Sequence, residues 1–252
     1  MISARNRWPA VLDGRAVALI FERPSTRTRV SFDVGVHHLG GHPLTLNGAD
    51  LQMGRGESIR DTALVLSRMV SAVVLRTGPH AVIEELANHA TVPVINGLTY
   101  DHHPCQALAD VLTISERFGD VRGLKVAYLG DGNNCCVSLM IAGAALGMDV
   151  VAACPEGFTP KADVVRWADE LGRPLGGGAR VVTSPQEAAA GAKVLYTDTW
   201  ISMGDEDTRD ARLAALGPYR VDDDLIAHAH AAAIFMHCLP AHRGEEVAEG
   251  VL

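Results

Sequence analysis

Short apolar runs alternate along the chain with longer stretches whose apolar residues recur every three to four positions, the pattern of strands alternating with helices. Runs over 16–21, 43–47, 72–75 and 92–96 predict strands, with helices over 25–38, 58–69 and 80–90 between them. A helix over 104–118 stops at Gly119, a natural terminator. The pattern then restarts. Strands are predicted over 124–129, 149–153, 180–183, 193–197 and 232–236. Helices are predicted over 137–146, 161–171 and 222–229, with a short one between 183 and 193. This reading is an α/β fold of two doubly wound parallel-sheet lobes, residues 1–118 and 119–252, joined by the 104–118 helix. The boundary falls in Gly119-Asp120-Val121-Arg122-Gly123, and no internal repeat is visible.

Composition narrows the class. A hydrophobic share of 48% over 252 residues supplies ordinary globular cores, and 5% aromatics suits small aliphatic side chains under helices. A net charge of −8 gives no support for nucleic-acid binding. Five cysteines, with Cys135 and Cys136 adjacent, do not form a disulfide framework and fit a reducing compartment. No signal-peptide core or apolar stretch of membrane-spanning length appears, so a cytoplasmic protein without membrane partners is expected.

The most informative segment is Phe21-Glu22-Arg23-Pro24-Ser25-Thr26-Arg27-Thr28-Arg29, where the first strand gives way to a helix. Pro24 cannot continue a sheet, and Ser25 is a favoured N-cap. Free helix-start N–H groups, three hydroxyls and several guanidinium groups converge there, which describes an anion site suited to phosphate. The glycines and lysine of a P-loop are absent. A capped helix start with arginines in solvent is the plainer alternative.

Further motifs recur downstream. They are Arg76 at a strand end, His103-Pro104-Cys105-Gln106 at a helix start, Asn133-Asn134 after a strand, Asp198-Thr199-Trp200-Ile201-Ser202-Met203-Gly204, and His237-Cys238-Leu239-Pro240. Together with Ser25 to Arg29 they resemble the motifs of the aspartate/ornithine carbamoyltransferase family, over nearly the whole chain. The resemblance implies that Ser25, Thr26, Arg27 and Thr28 cradle the phosphate of carbamoyl phosphate. Arg76, His103, Pro104, Cys105, Gln106, Cys238 and Leu239 would hold its carbamoyl group, and Gln52 matches a loop residue that reaches a neighbouring subunit. The ornithine-using branch is implied by Ser202-Met203-Gly204 and by Cys238 where the aspartate branch has proline. Asn134, Asp198, Ser202 and Met203 would then bind ornithine, with Arg76, Asp198 and Cys238 as catalytic groups. No cofactor is implied, and the expected assembly is a homotrimer or a multiple of trimers.

Other readings compete. Gly130-Asp131-Gly132 suggests a dinucleotide fingerprint, but position 135 is Cys135 where a third glycine is needed. A nicotinamide-dependent dehydrogenase would also leave Ser25 to Arg29 unexplained. Eleven histidines and five cysteines raise the question of a metal, yet no ligand spacing is present, so none is expected. Family members extend further at both ends, so an incomplete, non-catalytic relative is one alternative. A carbamoyltransferase using another amine, such as acetylornithine or putrescine, is a second.

Overall fold

The computed structural model describes residues 8–48, 51–201 and 206–252. The chain forms two compact units, one ending at His102 and the other beginning at His103.

In the first unit, β1 (Ala16–Phe21), β2 (His42–Asn47), β3 (Ala72–Arg76) and β4 (Val94–Leu98) make an all-parallel sheet in the order β2-β1-β3-β4. The apolar run of β1 is uninterrupted because both faces of the sheet are covered. Ala18 and Ile20 pack with Ala63 of α2 (Ile59–Leu66) and Leu86 of α3 (His80–His89). Val17, Leu19 and Phe21 point the other way, onto Val36 of α1 (Thr26–His38).

The second unit starts with α4 (Pro104–Phe118) and carries a five-stranded parallel sheet. Its strands are β5 (Lys125–Leu129), β6 (Asp149–Ala153), β7 (Gly178–Val182), β8 (Val194–Thr197) and β9 (Ile234–His237), in the order β7-β6-β5-β8-β9. One core joins Val126 and Tyr128 to Val111 and Ile114 of α4 and to Leu139 and Met140 of α5 (Asn134–Ala145). The opposite core joins Ala127 and Leu129 to residues of α7 (Pro185–Ala189), α8 (Arg209–Leu216) and α9 (Asp223–Ile226). The remaining helix, α6 (Ala162–Gly172), sends Ala168 into the first of these cores.

Several boundaries differ from the sequence reading for identifiable reasons. The fifth helix begins at Asn134, not 137, because the Asn133 side chain accepts from the amides of Cys135 and Cys136 and so caps it earlier. β4 spans Val94–Leu98 and not 92–96: it starts past Pro93 and runs through a register irregularity opposite Leu75 and Arg76. α8 was not anticipated at all. The expected linking helix 104–118 has the expected bounds, and its buried face packs into the second unit's core, so the division between the compact units falls ahead of it.

Candidate active site

Both sheets change strand order at their middle, between β1 and β3 and between β5 and β8. In open α/β sheets, ligands collect beyond the carboxyl ends of strands at such switch points. The described motif residues lie beyond carboxyl strand ends, at these switch points or at the neighbouring edge strands β4 and β9, in two groups, one per unit.

In the first unit, β1 hands over to α1 through Glu22, Arg23 and Pro24. Ser25 is extended (φ −162°), and its hydroxyl accepts from the Thr28 amide at 3.4 Å, so the sequence-predicted N-cap is in place. A cleft of about 480 Å³ opens over this turn. Ser25, Thr26 and Arg29 line it, with Glu22, Arg23 and Asn47; Arg27 and Thr28 are not part of its wall. Arg27 is exposed, and Thr28 is half-buried under the cap.

Arg76 closes β3, where register slips from Leu75 opposite Asn96 to Arg76 opposite Leu98. Gly97 is the extra residue, and a Cβ there would lie 3.2 Å from the Leu75 carbonyl. Such a bulge turns the strand-end side chain out of the regular pleat. Two neighbours escaped the sequence reading. The buried Thr77 hydroxyl donates to Glu22, and Arg23 donates to the Tyr100 hydroxyl while stacking 4.5 Å from its ring centre. Gln52 is exposed and opens a 3-10 turn, Gln52–Arg55.

In the second unit, His103 occupies the N-cap position of α4 and Pro104 its first turn. The His103 amide donates to Ser138 Oγ at 2.7 Å, tying this helix start to α5. Gln106 donates its Nε2 to Asp110 Oδ1 at 2.9 Å, which leaves the amide oxygen as the acceptor on its other side. Burial pushes the Asp110 carboxyl up to about 6, against the lowering effect of Gln106 and Tyr196. Burial also raises the Cys105 thiol.

The tightest cluster surrounds Asp198, which follows β8 and is buried. Its Oδ1 accepts from the Thr199 amide at 2.7 Å and from the Cys238 thiol at 2.6 Å. Its Oδ2 accepts from Asn133 Nδ2 at 2.8 Å. Asn133 is held in turn by Tyr128, whose hydroxyl donates to Asn133 Oδ1 at 3.1 Å. One carboxylate therefore gathers β5, β8 and β9 at their carboxyl ends. Asn134, the predicted carboxylate binder, is the first residue of α5, half-buried beside Asn133. Asn133 belongs to the same sequence motif, but the sequence assigns the ligand to Asn134 and gives no sign of the donation from Asn133 to Asp198. Ser202 and Met203 lie outside the described residues.

Cys238 follows β9, and Leu239 takes φ 60°, a left-handed conformation for a residue with a side chain. Cys135 lies close by, and its hydrogen bond with Cys238, together with burial, holds its thiol well above the usual range. The ligand atoms of Cys135, Asp198 and Cys238 lie within 4.8 Å of one another, as do those of His242, Glu245 and Glu246. These sets come from folding and from a tight turn, so ligand-spacing motifs could not reveal them.

The glycines of the fingerprint-like segment serve packing. A Cβ on Gly130 would lie 2.7 Å from Trp200 Nε1, and one on Gly132 2.4 Å from Pro160 Cδ. Both glycines are therefore accounted for by close approach of Trp200 and of the Phe158–Pro160 segment.

Known proteins match this arrangement from end to end. Residues 2–116 match the family model described as aspartate/ornithine carbamoyltransferase, carbamoyl-P binding domain, and residues 122–252 match the corresponding Asp/Orn binding domain. An ornithine carbamoyltransferase of Pyrococcus horikoshii is 53% identical over 96% of this chain and 76% of its own length. One described as anabolic, from Pyrococcus furiosus, is 53% identical over 96% of this chain and 77% of its own. The solved Pyrococcus furiosus ornithine carbamoyltransferase superposes with a TM-score of 0.93 at 52% identity, over 97% of this chain and 78% of that one. The anabolic enzyme of Campylobacter jejuni superposes at 0.89 with 36% identity, over 96% and 80%. With both domain models matched in order and its motifs at the strand ends, the chain belongs to the aspartate/ornithine carbamoyltransferase family.

Proposed function

We propose that this chain transfers the carbamoyl group of carbamoyl phosphate to the side-chain amine of L-ornithine, giving L-citrulline and phosphate, as a step of arginine biosynthesis. The observation that carries the acceptor assignment is the Asp198–Cys238 contact at 2.6 Å, in a chain whose 53%-identical relatives are named for ornithine. An ammonium has no lone pair for attack, so a site using ornithine's amine must take up its proton. A buried carboxylate sharing a hydrogen with a thiol is suited to that task.

In this reading the first-domain residues Ser25, Thr26, Arg27 and Thr28 bind the phosphate, aided by Arg76, and Gln52 serves a neighbouring subunit. Arg76 and His103 donate to the carbamoyl oxygen as it becomes an oxyanion, and the Gln106 amide oxygen accepts from the carbamoyl NH2. Pro104 and Cys105 shape that helix start, and the backbone at Cys238 and Leu239 completes the carbamoyl pocket. Asn134, Ser202 and Met203 hold the amino-acid end of ornithine, and Asp198 with Cys238 orients its amine. The amine forms the new C–N bond, and the tetrahedral intermediate expels phosphate as the C–O bond breaks. No cofactor takes part, because phosphate is already a good leaving group and alignment with charge stabilisation suffices.

The working form is a homotrimer or a multiple of it, in the cytoplasm. Exposed apolar residues of the first unit support self-association: Val30 and Val34 on α1, and Leu64 and Val65 on α2, with Met69 just beyond it. Among the described residues, no helix is long and apolar enough to cross a membrane.

The test is a citrulline assay on the purified chain with ornithine, acetylornithine, putrescine and aspartate offered in parallel, beside its native mass. Expected are ornithine-dependent product and a mass near three times 26.8 kDa, or a multiple of that. Product from putrescine or acetylornithine in preference to ornithine would reassign the acceptor, and no product from any amine would sink the reading.

A further inference from the structure

Glu246 is fully buried, and the His237 side chain beside it is 2% exposed. The Glu246 Oε1 atom takes two hydrogen bonds, from His237 Nε2 at 3.0 Å and from the His242 amide. Its Oε2 atom, equally buried, takes none. On the other ring nitrogen, His237 Nδ1 receives the Leu239 amide at 2.8 Å. Burial opposes a second proton on His237, but Cys238 and Glu246 outweigh it and raise the imidazole to about 9, whereas the geometry at Nδ1 argues for the singly protonated ring. The Leu239 amide decides the matter, since an N–H aimed at Nδ1 requires a lone pair there and leaves the hydrogen on Nε2.

The Glu246 backbone is itself anchored. The Val221 amide donates to the Glu246 carbonyl at 3.0 Å, and the Ala248 amide donates back to Val221 at 2.9 Å. A relay thus runs from a fixed point, Glu246, through the His237 ring to the amide of Leu239. Leu239 is the residue with φ 60°, next to the thiol that meets Asp198.

We propose that Glu246 is a positioning residue for carbamoyl transfer: by accepting from His237 it fixes the ring so that Nδ1 holds the Cys238–Leu239 turn on Asp198. The inference rests on the transfer reaction proposed above, but its structural half can be read without turnover. Both hydrogen bonds end on one oxygen, so the relay needs an acceptor at that position, while the second oxygen lies 3.8 Å from His242 Nδ1. Glutamine, with its carbonyl in place of Oε1, satisfies the same donors.

Two readouts are compared in Glu246→Gln and Glu246→Ala: steady-state kinetics with ornithine, and the rate at which iodoacetamide alkylates Cys238, followed by peptide mass with Cys105 as internal control. Glu246→Gln should keep kcat within about threefold and the parental Cys238 labelling rate. Glu246→Ala should lose at least about thirtyfold in kcat, and its Cys238 should label at least about tenfold faster while Cys105 does not change. Parental kcat and labelling in the alanine variant, or equal failure of both variants, would overturn the proposal. Should Glu246→Ala not fold, His237→Phe takes its place. It keeps a ring of similar size that accepts nothing, and it should accelerate Cys238 labelling; an unchanged rate overturns the relay. If the parent chain makes no citrulline, the transfer reaction fails while the labelling comparison still judges the relay.

Discussion

At the scale of single residues, the candidate site is an arrangement of acceptors already supplied with donors. Asp198 holds a thiol, a side-chain amide and a backbone amide, so its carboxylate is ordered before any substrate arrives. Asp110 is different, because burial raises its carboxyl to about 6 and leaves it costly to ionise. Its folded value exceeds the unfolded one, so stability is greatest below about pH 4 for this group and is lost as pH rises through 6. Ionising a carboxyl held that far above its ordinary range costs about 3 kcal/mol at most. Asp110→Asn retains the acceptor for Gln106 and removes the charge, so it should raise the Tm at pH 8 and keep only about half of that gain at pH 5. Thermal melts at the two pH values check this, and an equal effect at both would refute the assignment. Asp198 and Cys238 were individually legible in the sequence, as strand-end residues within motifs. Their meeting was not, since 40 positions separate them and only the β8–β9 pairing brings them together.

At the scale of elements, strands and helices were read well where apolar period and punctuation agreed. β1, α4 and β6 are examples, bounded respectively by polar residues, by Pro104 with Gly119, and by Gly147 before it. α8 gives little signal in the sequence because it is short and polar, with Leu213 and Leu216 as its large apolar residues. Its Arg212 turns inward, donating to the Trp200 carbonyl at 2.7 Å and pairing with Asp131, so a charge occupies a position where an apolar residue marks a helix face. The early start of α5 depends on a side chain, Asn133, which caps the helix and also donates to Asp198. These duties separate by substitution. Asn133→Ala should lose about 1 kcal/mol of stability with the cap, and kcat should fall with the lost donor. Asn133→Ser keeps a capping hydroxyl but cannot reach Asp198, so its Tm should stay near the parent while kcat falls at least about tenfold. A serine variant with parental turnover would mean that the donation to Asp198 has no part in the reaction.

At the scale of the whole molecule, each unit has its own sheet and cores, and the two groups of motif residues are divided between them. In the proposed reading phosphate binding belongs to the first unit's β1–α1 turn, which is tested without an amine acceptor. Inorganic phosphate should raise the Tm in proportion to occupancy, with about 2.7 kcal/mol of added stability at a hundred times its Kd. Arg27→Ala should weaken that effect by about tenfold in phosphate concentration, the worth of one charge-assisted hydrogen bond. Because Arg27 lies outside the wall of the cleft over that turn, an unaltered phosphate response would withdraw it from the site and leave Ser25, Thr26 and Arg29 as the binding set.

The described motif residues lie at or beyond a carboxyl strand end, or on the helix start that follows. The opposite rim of each sheet, where strands begin, holds turns such as the one through Gly191 ahead of β8, where a Cβ would meet nothing within 4 Å. That asymmetry gives each unit a motif-bearing side and a blank side. Fluorophores, immobilisation tags or grafted peptides belong on a unit's blank side, where added bulk lies a full strand length away from that unit's motif residues.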